Sequence, residues 1–269
     1  MPIRLGAVGY LNARPLVYGL EHDARFKVRY DLPAECARLL HAHDIDLGLI
    51  PSIEYLRGQR PYGIVYGAAV TSNGPVKSVA LYTRRDPRDI RTVAMDTSSR
   101  TSVALVTILL RKIYNLTIEP LPMAPDVDAM LGRADAALII GDVALFLDHA
   151  RAGIQKIDLG EAWASAAGLP FVYALWAGWP DAVTPEDVRA LLTARDHGVA
   201  HVDDIAIEHA PGDPARQSII SRYLRDNIRY RLGAEEKQGL IAFYRYATEL
   251  GLASYDSQLR IYHGDDGAD

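Results

Sequence analysis

The sequence predicts an α/β protein with two lobes that form a clamshell. Short apolar segments alternate with segments of helical character, and this alternation starts again after about residue 84. Repeated strand and helix segments are typical of parallel strands joined by right-handed crossovers, in open sheets covered by helices on both faces. We therefore expect each lobe to be a mixed, mostly parallel sheet flanked by helices, with two strands that carry the chain between the lobes.

The first lobe begins with a β-α-β pattern. Residues 3–8 are apolar enough for a buried strand, the loop 9–15 interrupts them, and residues 16–20 favour a helix. Pro33 favours the first turn of a helix that extends through Leu40. Strands are predicted at 3–8, 26–30 and 45–50.

The second lobe repeats the pattern, and the rest of the chain is mainly helical. Further strands are predicted at 78–83, 92–96, 136–140 and 170–177. Further helices are predicted at 102–114, 126–132, from Val143 onward, from Pro185 onward, at 214–231 and at 234–250. Thr184 is a favourable N-cap for the helix at Pro185. The small and acidic residues 264–269 are expected to fray.

Two crossings divide the chain into a discontinuous lobe 1, residues 1–83 with 177–269, and a lobe 2, residues 84–176. The strands at 78–83 and 170–177 are the expected crossings. Ligands of open α/β sheets bind at the carboxyl ends of the strands, and the space between two lobes is the default ligand site. Candidate functional residues are therefore sought in the loops at strand ends.

Composition and charge exclude several classes of protein. The 269 residues are 49% hydrophobic and 23% charged, with a formal net charge of -5. We therefore expect no nucleic acid partner and no anionic membrane partner, because the chain has no overall attraction for either. No apolar segment approaches the roughly 20 residues that span a bilayer. No segment of the sequence indicates a particular oligomer.

The sequence also lacks the patterns that hold metals and cofactors. Cys36, the only cysteine, lies in a predicted helix and is expected in the core, and His41 and His43 are two residues apart rather than four. A P-loop and a dinucleotide-binding glycine motif are both absent from the sequence. We therefore expect no metal and no cofactor. The first residues do not resemble a secretory signal, so we expect a cytoplasmic protein.

The segment 96–102, with the sequence DTSSRTS, is the expected anion site. It lies between a predicted strand and a predicted helix and contains the candidates Ser98, Arg100, Thr101 and Ser102. Unpaired N–H groups and the dipole at a helix start favour a carboxylate or phosphate, and the hydroxyls can add hydrogen bonds. The alternative is that these serines and threonines only cap the helix.

The loop after the first strand carries three more candidates. Tyr10, Asn12 and Arg14 lie in the sequence GYLNARP, where a strand-to-helix loop faces the cleft. The amide of Asn12 is suited to orient a hydroxyl or a carbonyl. Two alternatives stay open, namely that Asn12 caps the helix that follows and that Arg14 only solvates the surface.

Other candidates lie where strands begin or end. Ser78 lies at the start of a predicted crossing strand, where it can contact a ligand held between the lobes. Ser52, Gly141 and Asp142 follow apolar strands at the rim of the cleft. The alternative is that these residues only form turns and end strands.

Six segments of the chain carry a family resemblance. They are GYLNARPL at 9–16, VKSV at 76–79, MDTSSRTSVAL at 95–105, ALIIGD at 137–142, DLGEAW at 158–163 and GLPFV at 168–172. In sequence and in order they resemble the MqnA-type chorismate dehydratase family, over about residues 3–250. The resemblance implies a type II periplasmic-binding-protein fold. It also implies a cofactor-free enzyme of the futalosine route to menaquinone that converts chorismate to 3-[(1-carboxyvinyl)oxy]benzoate and water.

The resemblance implies roles for individual residues as well. Asn12 matches a loop asparagine implicated in catalysis, Ser78 matches a substrate-binding serine, and the segment 98–102 would hold a substrate carboxylate. We expect Asn12 to orient the departing hydroxyl or the developing anionic charge. The proton acceptor is then either the enolpyruvyl carboxylate of the substrate itself or Asp142.

Three other functions stay open. The clamshell is also used by solute-binding proteins that capture a small anion, although no export signal supports that function here. The dihydroxynaphthoate-releasing enzyme of the same pathway shares the fold, but a different loop is expected after its first strand. A sensory or regulatory domain is the third alternative, although neither a DNA-binding helix pair nor a basic patch accompanies it.

Overall fold

Two five-stranded sheets organise the chain. The structure, a computed structural model, describes residues 1–58, 60–150, 153–256 and 258–262. The strands are β1 Ile3–Val8, β2 Phe26–Asp31, β3 Leu47–Pro51, β4 Gly63–Ser72, β5 Val79–Thr83, β6 Thr92–Asp96, β7 Glu119–Met123, β8 Ala136–Ile140, β9 Gln155–Asp158 and β10 Phe171–Gly178. The α-helices are α1 Pro33–His41, α2 Thr101–Tyr114, α3 Val127–Leu131, α4 Gly141–Phe146, α5 Leu159–Ala167, α6 Pro185–Ala200, α7 Val202–His209, α8 Pro214–Arg222 and α9 Ala234–Glu249. The stretch 264–269, expected to fray, lies outside the described residues.

Both sheets have the same plan. The strand order is β2-β1-β3-β10-β4 in the first sheet and β7-β6-β8-β5-β9 in the second. Parallel pairs join β1 to β2 and β3, and β6 to β7 and β8. The fourth strand of each sheet, β10 or β5, is antiparallel to both of its neighbours. The prediction of two mixed, mostly parallel sheets is therefore confirmed.

The chain crosses between the sheets twice. It leaves the first sheet after Ser72 and enters the second at Val79, and it returns through α5 between β9 and β10. Each of β5 and β10 makes its ladder within one sheet, β5 in the second and β10 in the first. The predicted domain limits, 1–83 with 177–269 for lobe 1 and 84–176 for lobe 2, stay a prediction. They place β5 in lobe 1 and most of β10 in lobe 2, and the structure corrects this, because β5 belongs to the second sheet and β10 to the first.

Two predicted helices differ from those observed. Residues 11–17 form a 3₁₀-helix, Leu11–Val17, so the helix predicted at 16–20 is wrong. Gly19, with φ 79°, separates this helix from a second short one at Leu20–His22, because a left-handed residue cannot continue either. The helix predicted at 214–231 is shorter, since α8 ends at Arg222 and a π-helical turn, Tyr223–Asn227, follows it.

The predicted cap of α6 and the predicted place of the cysteine are both confirmed. The Thr184 hydroxyl accepts the Asp187 N–H, and the Asp187 carboxylate accepts the Thr184 N–H, which is a complete capping box. Cys36 is fully buried, and its thiol donates to the Ala7 carbonyl. Burial raises the pKa of Cys36 to about 12, so its thiol is protonated at neutral pH. Cys36 is a core residue.

Membrane-spanning helices and metal-binding clusters are both absent from the part of the chain that the structure describes. Within it, no helix is both long and apolar enough to cross a membrane. Within the same residues, no three His, Cys, Asp or Glu side chains converge as metal ligands.

Candidate functional site

A cavity lies between the two sheets, at the carboxyl ends of β1, β3 and β8. Its enclosed volume is about 50 Å³, which is smaller than the usual range of about 300–1,000 Å³ for small-molecule sites. The first sheet and its loops contribute Val8, Tyr10, Asn12, Ala13, Pro33, Leu49, Pro51, Val70, Tyr173 and Ala174. The second contributes Val79, Ser99, Arg100, Thr101, Ser102, Ile140 and Gly141.

Two stretches singled out in the sequence meet at this cavity. Tyr10 and Asn12 approach it from the loop after β1, and residues 99–102 approach it from the start of α2. One stretch belongs to each sheet. A molecule held in the cavity therefore contacts both lobes.

Tyr10 connects the lobes directly. Its hydroxyl donates a hydrogen bond to Ser98 Oγ at 3.0 Å, and the Ser98 hydroxyl donates to Asp96 Oδ1 at 2.6 Å. The next N–H, that of Leu11, donates to Asp142 Oδ1 at 3.2 Å. Burial raises the pKa of Tyr10, so its hydroxyl is a donor at neutral pH. Ser98 and Asp142 thus hold the first loop rather than line the cavity.

Gly141 allows the close approach of Tyr10. Its φ is +66°, and a Cβ at this position would lie 3.0 Å from three carbon atoms of the Tyr10 ring. Glycine is the residue that adopts this conformation without strain and leaves room for the ring. The Gly141 N–H donates to the Ser78 carbonyl at 2.8 Å, which places the start of β5 beside the cavity.

Some polar groups at the start of α2 make hydrogen bonds within the protein, and others remain available to a ligand in the cavity. Ser99 Oγ accepts the Ser102 N–H at 3.2 Å, and Thr101 Oγ1 accepts the Ile53 N–H at 3.2 Å. The capping interpretation therefore accounts for part of this segment. Arg100, the exposed N-cap residue, makes no side-chain cap hydrogen bond among the described residues. The Ser102 N–H is therefore taken by Ser99, and the other N–H groups of the first turn of this helix remain available to an anion.

Ser78 and Ser52 lie behind the cavity wall. Both are 0% exposed, and neither lines the cavity among the described residues. Ser78 Oγ accepts a hydrogen bond from the Tyr223 hydroxyl at 2.7 Å. Ser52 Oγ donates to the Val172 carbonyl at 2.7 Å. Substrate contact by either serine stays a prediction.

Arg14 faces away from the cleft, which corrects its placement as a cleft residue. Its guanidinium lies 4.4 Å from the centre of the Tyr30 ring and lines a separate depression with Glu21. The cause is the helix type, because a 3₁₀-helix has three residues per turn and separates residues two apart by about 240°. Asn12 faces the cavity, so Arg14 faces the other way.

Asp142 lies in the first turn of α4. Burial raises the pKa of its carboxyl, against the lowering effects of the Leu11 N–H and of more distant positive charges. Its Oδ1 atom is already occupied by that N–H, and Asp142 is not among the described residues that line the cavity. The geometry gives Asp142 a part in holding the lobes together.

Two tyrosines at or beside the cavity were not predicted from the sequence. Tyr173 on β10 lines the cavity and shares a hydrogen bond with Ser72 Oγ at 3.0 Å. Tyr223 reaches Ser78 across 145 positions of the chain. No motif lies beside Tyr223, and although Tyr173 directly follows the segment GLPFV at 168–172, tyrosine is frequent here, with fifteen residues. Only the fold brings them to the site.

Solved structures share this architecture. A protein of Archaeoglobus fulgidus, AF1704, superposes with a TM-score of 0.74 at 19% identity, covering 93% of this chain and 98% of that one. The alkanesulfonate-binding protein SsuA from Xanthomonas axonopodis pv. citri gives 0.67 at 16% identity over 94% of each chain. The Candida albicans protein CA3427, described as exhibiting the generic periplasmic binding protein fold, gives 0.63 at 10% identity over 98% of this chain and 99% of its own. These likenesses show a periplasmic-binding-protein fold.

Sequence comparison identifies the family. A curated protein of Thermus thermophilus, named chorismate dehydratase, is 32% identical over 272 residues, which cover 93% of this chain and 96% of that protein. The sequence model of a protein family described as menaquinone biosynthesis matches residues 3–249. The match spans both sheets, the cavity between them and the loops that line it, and the chain therefore belongs to the menaquinone biosynthesis family.

Proposed function

We propose that this protein is a chorismate dehydratase, a carbon–oxygen lyase that converts chorismate to 3-[(1-carboxyvinyl)oxy]benzoate and water on the futalosine route to menaquinone. The family match and the relative that carries this name support the proposal. The observation that carries it in the structure is the meeting of Asn12 and the start of α2 at one cavity, from opposite sheets.

The proposed reaction requires little covalent chemistry from the protein. Chorismate loses the hydrogen at C3 and the hydroxyl at C4, and the ring becomes aromatic as water leaves. Atoms and electrons balance without a cofactor. The enzyme has to bind a dianion in one conformation, exclude water and help the proton and the hydroxyl to leave, which suits a cleft between two lobes.

The start of α2 is the proposed carboxylate site. The N–H groups of a helix start and its dipole favour negative charge, and the Arg100 guanidinium adds a positive charge at the same place. Ser102 lines the cavity from the same turn. We assign the ring carboxylate of chorismate to this site.

Asn12 is the proposed catalytic residue. Its amide faces the cavity from the opposite lobe, where it can donate a hydrogen bond to the departing C4 hydroxyl or to the charge that develops on the ring. The enolpyruvyl carboxylate of the substrate is the proposed proton acceptor, because the carboxylate of Asp142 already accepts the Leu11 N–H and lies outside the cavity lining.

Incubation of the purified protein with chorismate tests the function. We expect 3-[(1-carboxyvinyl)oxy]benzoate to form at a rate proportional to protein concentration, detected by its aromatic absorbance and mass. Chorismate that is bound but recovered unchanged would instead identify a solute-binding protein. A reaction that requires an added metal or nucleotide would contradict the proposed chemistry.

The reaction is proposed to take place in the cytoplasm. The free thiol of Cys36, buried in the core, suits a reducing compartment. The absence of nucleic acid and membrane partners stays a prediction from the net charge of -5.

A further inference from the structure

Tyr223 occupies an unusual place beside the candidate site. It begins the π-helical turn Tyr223–Asn227 that follows α8, and only 2% of its surface is exposed. Its hydroxyl donates to Ser78 Oγ at 2.7 Å and lies near enough to the Asn12 side chain for that side chain to lower the pKa of Tyr223. One buried hydroxyl therefore lies beside the two residues to which the family resemblance assigns catalysis and substrate binding. Turns of π geometry are frequent at functional sites.

The same turn holds the connection between the sheets. Asn227 Nδ2, at its other end, donates to the Pro75 carbonyl at 2.9 Å. From the second lobe, the Asp158 carboxylate accepts the N–H groups of Val76 and Lys77 at 3.0 and 2.7 Å. The crossing segment that ends at Ser78 is thus fixed from both sides. Tyr223 contacts the last residue of this fixed segment and lies beside Asn12 of the first loop.

Tyr223 is available as a hydrogen-bond donor at neutral pH. Burial raises the pKa of its hydroxyl well above the ordinary value for tyrosine, against smaller lowering effects of Ser78 and Asn12. The hydroxyl therefore keeps its proton at neutral pH. A buried hydroxyl in this state can hold its neighbours in one geometry.

We propose that Tyr223 is a positioning residue that fixes Asn12 and Ser78 relative to one another through its buried hydroxyl. The inference rests on the proposed dehydration of chorismate, to which it adds a residue outside the cavity lining. It predicts that loss of this one oxygen changes catalysis through Asn12 and substrate affinity through Ser78.

Tyr230 supplies a matched control. Like Tyr223 it is buried, with 5% of its surface exposed, and it lies seven positions further along the chain. Its hydroxyl has no hydrogen-bond partner among the described residues. Y223F and Y230F remove the same atom from neighbouring buried tyrosines, and only the first removes a contact with the site.

The kinetic test compares these two variants on chorismate. We expect Y223F to lower kcat about tenfold and to raise KM several-fold, the size expected for loss of one or two well-placed hydrogen bonds. We expect Y230F to stay within about twofold of the unsubstituted protein in both constants. Equal kcat in Y223F and Y230F overturns the proposal.

Double variants separate positioning from a general structural defect. In the N12A background, Y223F should change kcat by less than about twofold, and in the S78A background it should change KM by less than about twofold, because the group that Tyr223 positions is gone. If Y223F instead causes a general structural defect, its effects on kcat and KM multiply with the effects of N12A and of S78A. Independent, multiplicative effects therefore overturn the proposal even when Y223F alone is slow.

Crystal structures give a readout that needs no substrate. In Y223F we expect a second side-chain conformer of Asn12 or of Ser78, and in Y230F the original single conformers. Unchanged conformers of both residues in Y223F overturn the proposal. If the unsubstituted protein leaves chorismate unconverted, the proposed function fails, and these structures still decide whether Tyr223 positions the two residues.

Discussion

Asn12 and Arg14 lie two positions apart in one 3₁₀-helix and face different parts of the molecule. Asn12 lines the cavity between the lobes, while Arg14 packs on the Tyr30 ring in a separate depression. Both residues are polar and both lie in the first loop, and the family resemblance favours Asn12 over Arg14. The choice between them depends on the turn geometry, which local composition does not determine.

The first prediction tests this difference. We expect N12A to lower kcat for chorismate on the order of 10²-fold, as for other hydrogen-bond donors that stabilise developing charge. The thermal midpoint should stay close to that of the unsubstituted protein, because half-buried Asn12 is not part of the hydrophobic core. Steady-state kinetics and a thermal melt provide the two measurements.

The matched control is R14Q, a change in the same helix. Its kcat/KM is expected to stay within about twofold of the unsubstituted protein, because the Arg14 side chain lines another depression. Normal turnover in N12A would remove Asn12 from the catalytic role. A large loss in R14Q would restore Arg14 to the cleft.

The second prediction concerns Gly141. The substitution G141A imposes both a left-handed backbone and a contact of 3.0 Å with the Tyr10 ring. The control G168A has φ +67° with nothing within 4 Å of the added Cβ, so it carries the backbone effect alone. We expect G168A to destabilise by roughly 1–2 kcal/mol with unchanged kcat, and G141A to destabilise more and to lower kcat.

Denaturant unfolding and chorismate kinetics on both glycine variants decide this point. The difference between the two unfolding free energies measures the crowding at Tyr10. Equal destabilisation and equal activity in G141A and G168A would show that the ring of Tyr10 is not held against Gly141.

At the scale of elements, hydrophobic periodicity succeeds where a segment is buried and regular. The strand at 92–96 is predicted with its observed limits, and the helix at 102–114 to within one residue of α2, because both are rich in apolar residues and turn residues separate them. β7 has no such signal, since Pro120 and Pro122 interrupt it and it survives as an edge strand. β4 is obscured by Gly67, which takes φ +91° where the pairing with β10 is irregular.

Asp158 joins two elements, and the third prediction concerns this carboxylate. It caps α5 by accepting the Gly160 and Glu161 N–H groups, and it also accepts the N–H groups of Val76 and Lys77 in the crossing segment. We expect D158A to lower the free energy of unfolding by roughly 2–4 kcal/mol, since four N–H donors lose their partner and two of them are half-buried.

The control is D126A, which removes the N-cap of α3 alone. Asp126 accepts the Ala129 N–H and has no part in the crossing segment. Its loss should lower the free energy of unfolding by about 1 kcal/mol. Unfolding in urea, followed by circular dichroism, compares the two variants. A loss in D158A no larger than in D126A would mean that Asp158 serves only as a cap.

At the scale of the whole molecule, the fold class and the site of the cleft follow from the sequence, whereas the path between the sheets does not. Alternating strands and helices predict parallel sheets with a site at their carboxyl ends. The sequence does not predict which sheet each strand beside the crossings joins, because β5 and β10 are both apolar and could pair with either sheet. Their membership is decided by hydrogen bonds to β8 and β9 on one side, and to β3 and β4 on the other.

The last prediction concerns closure of the lobes. Several polar contacts cross the cleft, and the Tyr10 hydroxyl on Ser98 Oγ is one that a single atom supplies. Y10F removes it and leaves the ring beside Gly141. The closed form should therefore become less populated in the absence of ligand, and apparent affinity falls in proportion to the fraction of molecules that are closed.

Small-angle X-ray scattering and kinetics measure the two consequences. We expect ligand-free Y10F to have a larger radius of gyration than the unsubstituted protein, and its KM for chorismate to rise about 2- to 10-fold, the range for one neutral hydrogen bond. Saturation with 3-[(1-carboxyvinyl)oxy]benzoate should bring both proteins to the same radius, because ligand contacts with both lobes replace the lost bond. Y66F, at a tyrosine exposed on β4, should match the unsubstituted protein throughout. A raised KM with an unchanged ligand-free radius would mean that Tyr10 acts through contact with the ligand, and that its bond to Ser98 contributes nothing to closure.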